Sequence, residues 1–281
     1  MPKVTIAKRI LEAEDIISLE LVALDGGHLP SFSAGAHVDV VVKDGLSRQY
    51  SLCNSPEDTN RYVIAVLRDV NSRGGSAAVH DLLTEGTVVE VSEPRNHFPL
   101  VQNASSAVLV AGGIGITPIL CMADRLHYTG VPFQLHYCGR SRDRMAFVQR
   151  IAQGAFSEQA RLYFDDVSTR RFDASTAVGL PDNNKHLYVC GPSGFIEHVL
   201  ATARLMGWTD ANLHREFFGA AEVADARDDE PFQIEIASTG CIYEVPGRTL
   251  CASDTERARH RTSGLVRAGS LRDLHNESSQ R

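Results

Sequence analysis

Val108-Leu109-Val110-Ala111-Gly112-Gly113-Ile114-Gly115-Ile116-Thr117-Pro118 reads as a buried strand, a glycine turn and the opening of a helix. An apolar run ending in glycines lets a ligand phosphate approach bare backbone. A helix opening there aims unpaired N–H groups and its positive dipole end at the anion. The strict dinucleotide fingerprint G-x-G-x-x-G is not met, because Thr117 and Pro118 stand where it would continue toward a third glycine. Taken alone, the stretch fits a pyrophosphate cradle and an ordinary tight turn equally well. Thr117 as N-cap and Pro118 at the first helical position set the expected helix start.

Downstream of this stretch, strands and helices alternate. Pro118 to Tyr128 has helical spacing, with Ile119, Met122, Ala123 and Leu126 on one side and Gly130 as the stop. A strand over Phe133 to Cys138 precedes Arg140-Ser141-Arg142-Asp143-Arg144 and a helical stretch from Met145 to Ala152. Strands over Leu162 to Phe164 and Leu187 to Cys190, then a helix from about Gly194 to Met206, complete a βαβ series. The pattern predicts an open, mostly parallel sheet. Ligands of such sheets bind beyond the carboxyl ends of the strands, where both Ala111-Gly112-Gly113 and Val189-Cys190-Gly191-Pro192 fall. Two glycine-bearing turns on one sheet edge point to a dinucleotide site. Cys190 is then either a core thiol or a residue bordering the ligand.

Upstream the period is that of hairpins. Short β-rich runs cover Val4 to Ile10, Ile16 to Leu24, His37 to Val42, Arg48 to Leu52, Tyr62 to Leu67 and Val88 to Val91. With one helix over Ala77 to Leu83, they predict a closed antiparallel barrel. In Arg48-Gln49-Tyr50-Ser51-Leu52, alternation puts Arg48, Tyr50 and Leu52 on one face, with Gln49 and Ser51 on the other. Ser72-Arg73-Gly74-Gly75-Ser76 opens the helix, where it could surround a phosphate with backbone donors, a hydroxyl and a charge. A flexible loop capped by Ser76 explains the same residues. His97, in the polar turn Arg95 to Leu100, is read as a surface histidine.

Composition bounds the partners. With 28 basic against 35 acidic residues, the net charge of −7 gives no reason to expect nucleic acid or an anionic membrane. Hydrophobic and charged fractions of 43% and 22% are those of a globular protein. No stretch approaches the roughly 20 apolar residues of a membrane span. Met-Pro-Lys-Val-Thr-Ile begins a strand rather than a signal peptide, so a cytoplasmic location is expected. The six cysteines form no C-x-x-C pair, so most are expected to be small buried hydrophobes, and no metal ligands are assigned.

Arg48-x-Tyr50-Ser51, Gly112 to Pro118 and Cys190-Gly191-Pro192, in this order and spacing, resemble the ferredoxin-reductase superfamily. Ser72 to Ser76, Pro94-Arg95-Asn96-His97-Phe98-Pro99-Leu100 and Glu216-Phe217-Phe218-Gly219 narrow the resemblance to the reductase components of Rieske oxygenases. These are of the phthalate dioxygenase reductase and vanillate O-demethylase reductase type. The resemblance implies a flavin barrel over residues 1–103, an NAD-binding α/β domain over 104–222, and a C-terminal [2Fe-2S] domain. By the same resemblance Arg48 would bind the flavin phosphate, with Arg73, Gly74, Gly75 and Ser76 completing that site. Tyr50 would pack on the isoalloxazine, and Ser51 would hydrogen-bond near its N5. Gly112, Gly113, Gly115 and Thr117 would hold the nucleotide pyrophosphate. Cys190, Gly191 and Pro192 would border the nicotinamide, and Phe218, with Phe217 as the alternative, would cover the other flavin face. Ser51, Cys190 and Phe218 would form the catalytic set. FMN is implied in preference to FAD, NADH in preference to NADPH, and the partner is the oxygenase component. A free-standing flavin or ferric reductase, or a flavin- or nucleotide-binding module without catalysis, are the competing functions.

Residues 223–281 depart from this pattern. Ala220 to Glu230 is an acidic linker without aromatics, and Phe232 to Pro246 reads as two strands joined by a glycine turn. That hairpin is similar to the opening of a plant-type ferredoxin domain. Such a domain needs four thiolates in a C-x4-C-x2-C…C arrangement, whereas beyond Ala220 only Cys241 and Cys251 occur. From Cys251 onward there are no aromatics and only scattered leucines, so disorder is expected. The abrupt loss of pattern reads as a truncated or frameshifted ferredoxin domain, or as a natural tail in its place. Onward electron transfer is expected to suffer from the missing cluster ligands.

Overall fold

The computed structural model describes residues 1–43, 45–69, 74–167, 171–218, 232–236 and 241–245. Met1–Phe218 forms one compact unit and Gly219–Arg281 a second.

The first part of the larger unit is antiparallel. It contains β1 (Lys3–Ala13), β2 (Ile16–Ala23), β3 (Ala36–Lys43), β4 (Leu46–Ser51), β5 (Arg61–Leu67), β6 (Val88–Val91) and β7 (Arg95–Asn96). The strands run in the order β4-β3-β6-β1-β2-β5, with β7 beside β3. A bridge between Leu52 and Ile64 brings the end of β4 against β5 and closes the barrel. Alternation selects the interior: Ala36, Val38, Val40 and Val42 of β3 join Val4, Ile6, Leu19 and Leu21 in the barrel core. Each such aliphatic side chain contributes about 1.5–3 kcal/mol by leaving water. Helix α1 (Gly75–Leu82) plugs one end with Ala78 and Val79.

The second part alternates β8 (Ser106–Gly112), α2 (Ile116–Thr129), β9 (Phe133–Gly139), α3 (Val148–Gln153), β10 (Ala160–Phe164), α4 (Ala174–Val178), β11 (Lys185–Gly191), α5 (Ser193–Leu205) and β12 (Leu213–Phe217). Every pair is parallel, in the order β10-β9-β8-β11-β12. The order reverses between β8 and β11, the switch point where such sheets open a crevice. Strand β8 is buried on both faces, which is why it reads as a continuous apolar run. Val108 and Val110 face α4 and α5, whereas Ala107, Leu109 and Ala111 face α2.

The two parts share a seam. Ile16, Ala34, Cys53, Val63, Ala65 and Phe98 on the barrel's outside belong to one apolar cluster with Ile119, Met122 and Ile151 of α2 and α3. Arg150 ties the same seam: Nη1 donates to the Cys53 carbonyl at 3.3 Å and Nη2 to Asp124 Oδ2 at 2.7 Å.

Three helix starts differ from expectation: α3 begins at Val148 and not Met145, because Phe147 before it is in the left-handed region, φ 61°. Helix α2 begins at Ile116 with Gly115 as its N-cap, so Thr117 is not the cap. Gly113–Gly115 already form a 3-10 turn that runs into the helix, and the buried Thr117 hydroxyl donates back to the Ile114 carbonyl at 3.1 Å. Pro118 is therefore the third residue of α2, within the first turn, where a missing N–H leaves no helical bond unmade. Helix α1 is capped by Gly74 in the left-handed region, φ 80°, and not by Ser76. The Ser76 hydroxyl instead accepts the Asp69 N–H at 3.1 Å.

In the second unit, β13 (Phe232–Ile236) pairs antiparallel with β14 (Cys241–Val245), from Phe232 opposite Val245 to Ile236 opposite Cys241. These are the two strands the sequence predicts. The acidic linker, the turn between these strands and the tail from 246 lie outside the described residues. Cys53, Cys121, Cys138 and Cys190 are all buried free thiols, as expected of small hydrophobes.

Candidate functional site

Strand β4 carries the first group of site residues. A Cβ added to Gly75 would lie 2.2 Å from Arg48 Nε, so the arginine lies directly across the first residue of α1. Helix α1 has no side-chain cap, and a Cβ on Gly74 would meet nothing within 4 Å. The guanidinium thus stands beside a helix N-terminus that has no side-chain cap, a pairing of charge and backbone donors that fits one phosphate. Arg73, the other cation expected here, lies outside the described residues. Tyr50, two residues along the same face, is pushed up to about 12 by burial, with the Arg48 charge opposing. Its phenol stays neutral and offers a ring and a hydroxyl.

The second group is the glycine turn after β8. Here the structure divides the glycines by role. A Cβ on Gly115 would sit 2.4 Å from the Cys190 carbonyl oxygen, and one on Gly191 would sit 3.0 Å from Gly112 Cα. One on Gly112 would meet Pro192 and Phe195 at 3.1 and 3.0 Å. These three glycines let the turns after β8 and β11 touch backbone to backbone. Gly113 differs, because it has φ +55° and open space where its Cβ would be. Gly113 and Ile114 form the accessible lip, beside the uncapped start of α2.

The third group joins the two. Ser51 at the end of β4 is 6% exposed, and its Oγ lies 3.5 Å from Glu216 Oε2 on β12. Glu216 stands opposite Cys190 in the β11–β12 register. Edge strand β12 is held by His214, whose Nε2 is 3.0 Å from His186 Nδ1 and whose ring stacks on Tyr188 at 4.6 Å. The Cys190 thiol is fully buried and raised well above the usual range, first by burial and then by the neighbouring Glu216 charge. It is a neutral thiol, not a nucleophile. Phe217 is 43% exposed with the Arg215 guanidinium 5.7 Å from its ring centre, while Phe218 just beyond the strand is 41% exposed.

Glu216 is the site residue that the sequence reading left unassigned. Burial lifts its carboxyl to about 7, with the Ser51 hydrogen bond opposing. The signal was present as a carboxylate on the strand beside Cys190, but only the register shows that the two are opposed. Because the folded pKa is raised, the folded state binds the proton more tightly than the unfolded chain. Stability should therefore fall as pH rises from about 4.5 through about 7. Glu216→Gln is expected to remove that decline and to melt above the parent at pH 8. Thermal midpoints at pH 5 and 8 measure it; equal pH slopes in the two proteins would place the carboxyl in water.

No protein-family model matches the chain. It is 49% identical over 235 residues to vanillate O-demethylase oxidoreductase of Pseudomonas putida, covering 84% of this chain and 74% of that one. To phthalate dioxygenase reductase of Burkholderia cepacia it is 40% identical over 247 residues, 87% of this chain and 76% of the other. It also matches a solved structure of phthalate dioxygenase reductase, a modular protein for electron transfer from pyridine nucleotides to [2Fe-2S]. There the TM-score is 0.75 at 37% identity, over 95% of this chain and 81% of that one. Among the described residues no helix is long and apolar enough to cross a membrane. With these identities carried over most of its length on a common scaffold, the chain belongs to the family of oxygenase reductase components, oxidoreductases typified by vanillate O-demethylase oxidoreductase and phthalate dioxygenase reductase.

Proposed function

We propose that the protein takes a hydride from NADH onto FMN and delivers the electrons singly to the oxygenase component of a two-component system in the cytoplasm. The observation that carries this reading is the Ser51–Glu216 hydrogen bond beside Cys190, which joins the barrel strand of Arg48 and Tyr50 to the carboxyl end of the parallel sheet. When bound, the flavin accepts two electrons as hydride and releases them one at a time.

The chain's own residues position both ligands. Arg48, Gly74, Gly75 and Ser76, with Arg73, hold the flavin phosphate, and a single helix N-terminus there suits the single phosphate of FMN. Tyr50 and Phe218 supply rings for the two flavin faces. Gly112, Gly113, Gly115 and Thr117 shape the pyrophosphate lip, and Cys190, Gly191 and Pro192 form the wall for the nicotinamide. The neutral Cys190 thiol keeps its own charge away from the hydride. In the turn past β9, where Arg140, Arg142 and Arg144 are the cations that could meet a ribose 2′-phosphate, Arg144 is bound to Glu14 at 2.6 Å, which takes one of them away and supports NADH.

The test is anaerobic addition of NADH to the flavin-loaded protein. Bleaching of the flavin absorbance within seconds, and more slowly with NADPH, is expected; an unbleached spectrum overturns the reading. A second reading, a free-standing flavin reductase, is favoured by one observation: past Ala220 the chain has only Cys241 and Cys251 as thiolates for a cluster. Acceleration of NADH oxidation by a Rieske oxygenase partner decides for the first reading. Turnover with an artificial acceptor excludes a module that merely binds.

A further inference from the structure

Helix α1 has only eight residues and no side-chain cap at its start. Isolated helices shorter than about 12–15 residues are marginal in water, so the direction of α1 is set by what grips it. Ala78 and Val79 bury one side of it in the barrel core, but apolar burial is non-directional. The directional contacts come from the last turn, and His80 makes two of them. Its Nε2 lies 2.9 Å from the Val66 carbonyl oxygen of β5, and its own carbonyl accepts from Arg9 Nη2 of β1 at 3.2 Å. A carbonyl only accepts, so Nε2 carries the ring proton. Arg9 satisfies one of the carbonyls that a helix end leaves without a partner and puts a cation at the negative end of the dipole. The neighbouring Asp81 receives both terminal nitrogens of Arg68, at 2.9 and 3.3 Å, but that pair is exposed and contributes little.

At the other end of the helix, Gly75 lies across from Arg48, five residues before His80 and about 7.5 Å along the axis at 1.5 Å per residue. A tilt at the last turn therefore re-aims the first. We propose that His80 is the positioning residue of the flavin-phosphate site: its ring grips β5 and its carbonyl is held from β1, and together these ties fix the direction in which α1 presents its first N–H groups beside Arg48. His80 does not touch the phosphate, and the inference rests on the proposed binding of FMN at that helix start.

The surroundings of the ring suit a fixed donor. Burial first, and then Arg68 and Arg9, lower its pKa, while the Val66 hydrogen bond and Asp15 raise it. The ring is neutral at pH 7, which lets the two arginines approach the same helix end without a third positive charge between them.

FMN and riboflavin share the isoalloxazine and differ by the phosphate, so the ratio of their affinities reads the phosphate site alone. Fluorescence titration of the full chain, freed of flavin, should show that the parent binds FMN more tightly than riboflavin. His80→Phe keeps a ring and removes the Nε2 donor. It should lower FMN affinity about three- to tenfold, the loss of one hydrogen bond, and leave riboflavin affinity within about twofold. His80→Gln, whose side-chain amide donates from a similar distance, should recover most of the FMN affinity. Arg9→Met, which frees the His80 carbonyl and leaves the ring in place, should show the same loss confined to FMN and serves if His80→Phe does not fold. An equal loss for both flavins would make His80 a residue of barrel stability, and an unchanged FMN affinity would mean that the apolar side alone holds α1; either result overturns the proposal. A parent that binds FMN no more tightly than riboflavin overturns the reading of the phosphate site itself, so the two failures are distinguishable.

Discussion

Arg48→Ala should release the flavin, with affinity falling by about 10- to 100-fold, the equivalent of about 1.5–3 kcal/mol for hydrogen bonds to a charged group. Arg48 is the described cation that lies across Gly75 at the uncapped start of α1. Removing it takes away the planar guanidinium beside that helix start. Arg48→Lys should recover part of the loss, because a lysine keeps the charge but not the planar fork. Flavin fluorescence after equilibrium dialysis measures it. A variant that keeps its flavin at the parent's affinity would mean that the phosphate lies elsewhere. The loss should also shrink as salt rises, since this group is only half-buried.

Gly115→Val should cost the hydride step more than any substitution on the flavin side costs it. A Cβ there would lie 2.4 Å from the Cys190 oxygen, 2.5 Å from its carbon and 2.6 Å from the Gly191 nitrogen. These are backbone atoms and cannot rotate aside, so either the lip or the end of β11 must shift. A displacement of about 1 Å between reacting groups lowers a rate by about 100-fold, and that is the expected fall in flavin reduction by NADH. The flavin should stay bound, because the barrel residues are untouched. Gly113→Ala is the comparison: its Cβ meets no protein neighbour, so the turn after β11 stays in place, and its cost is that of a left-handed φ, about 1–2 kcal/mol, plus any crowding of the pyrophosphate lip. Stopped-flow reduction measures both. Equal rates in Gly115→Val and the parent would show that the two turns move independently.

The barrel and sheet were legible because their signals are local. Alternation in β3 and the apolar runs of β5 and β8 follow from which faces are buried, and those spans agree with the structure to within a few residues. Helix starts were misplaced where glycine rather than a hydroxyl residue does the capping. At Gly115 and Gly74 the backbone turns into the helix without side-chain help, and Thr117 and Ser76 lie inside the first turn. The glycines after β8 read as room for a ligand, yet Gly112 and Gly115 make room for the turn after β11. Such a contact joins positions far apart in the chain, and no local pattern records it. Glu216 escaped for the same reason: its meaning lies in Ser51, 165 residues earlier.

The seam between barrel and sheet has a consequence for modularity. Ile16, Cys53, Val63, Ala65 and Phe98 would face water in a barrel cut free at its boundary, and the Cys53 carbonyl would lose the Arg150 guanidinium that donates to it across the seam. The halves are therefore not beads on a string. A barrel transplanted from another reductase would arrive with its outer wall cut for different helices. Recombining such proteins calls for exchanging the wall and its helices together, with Arg150 as the marker of where the cut must not fall.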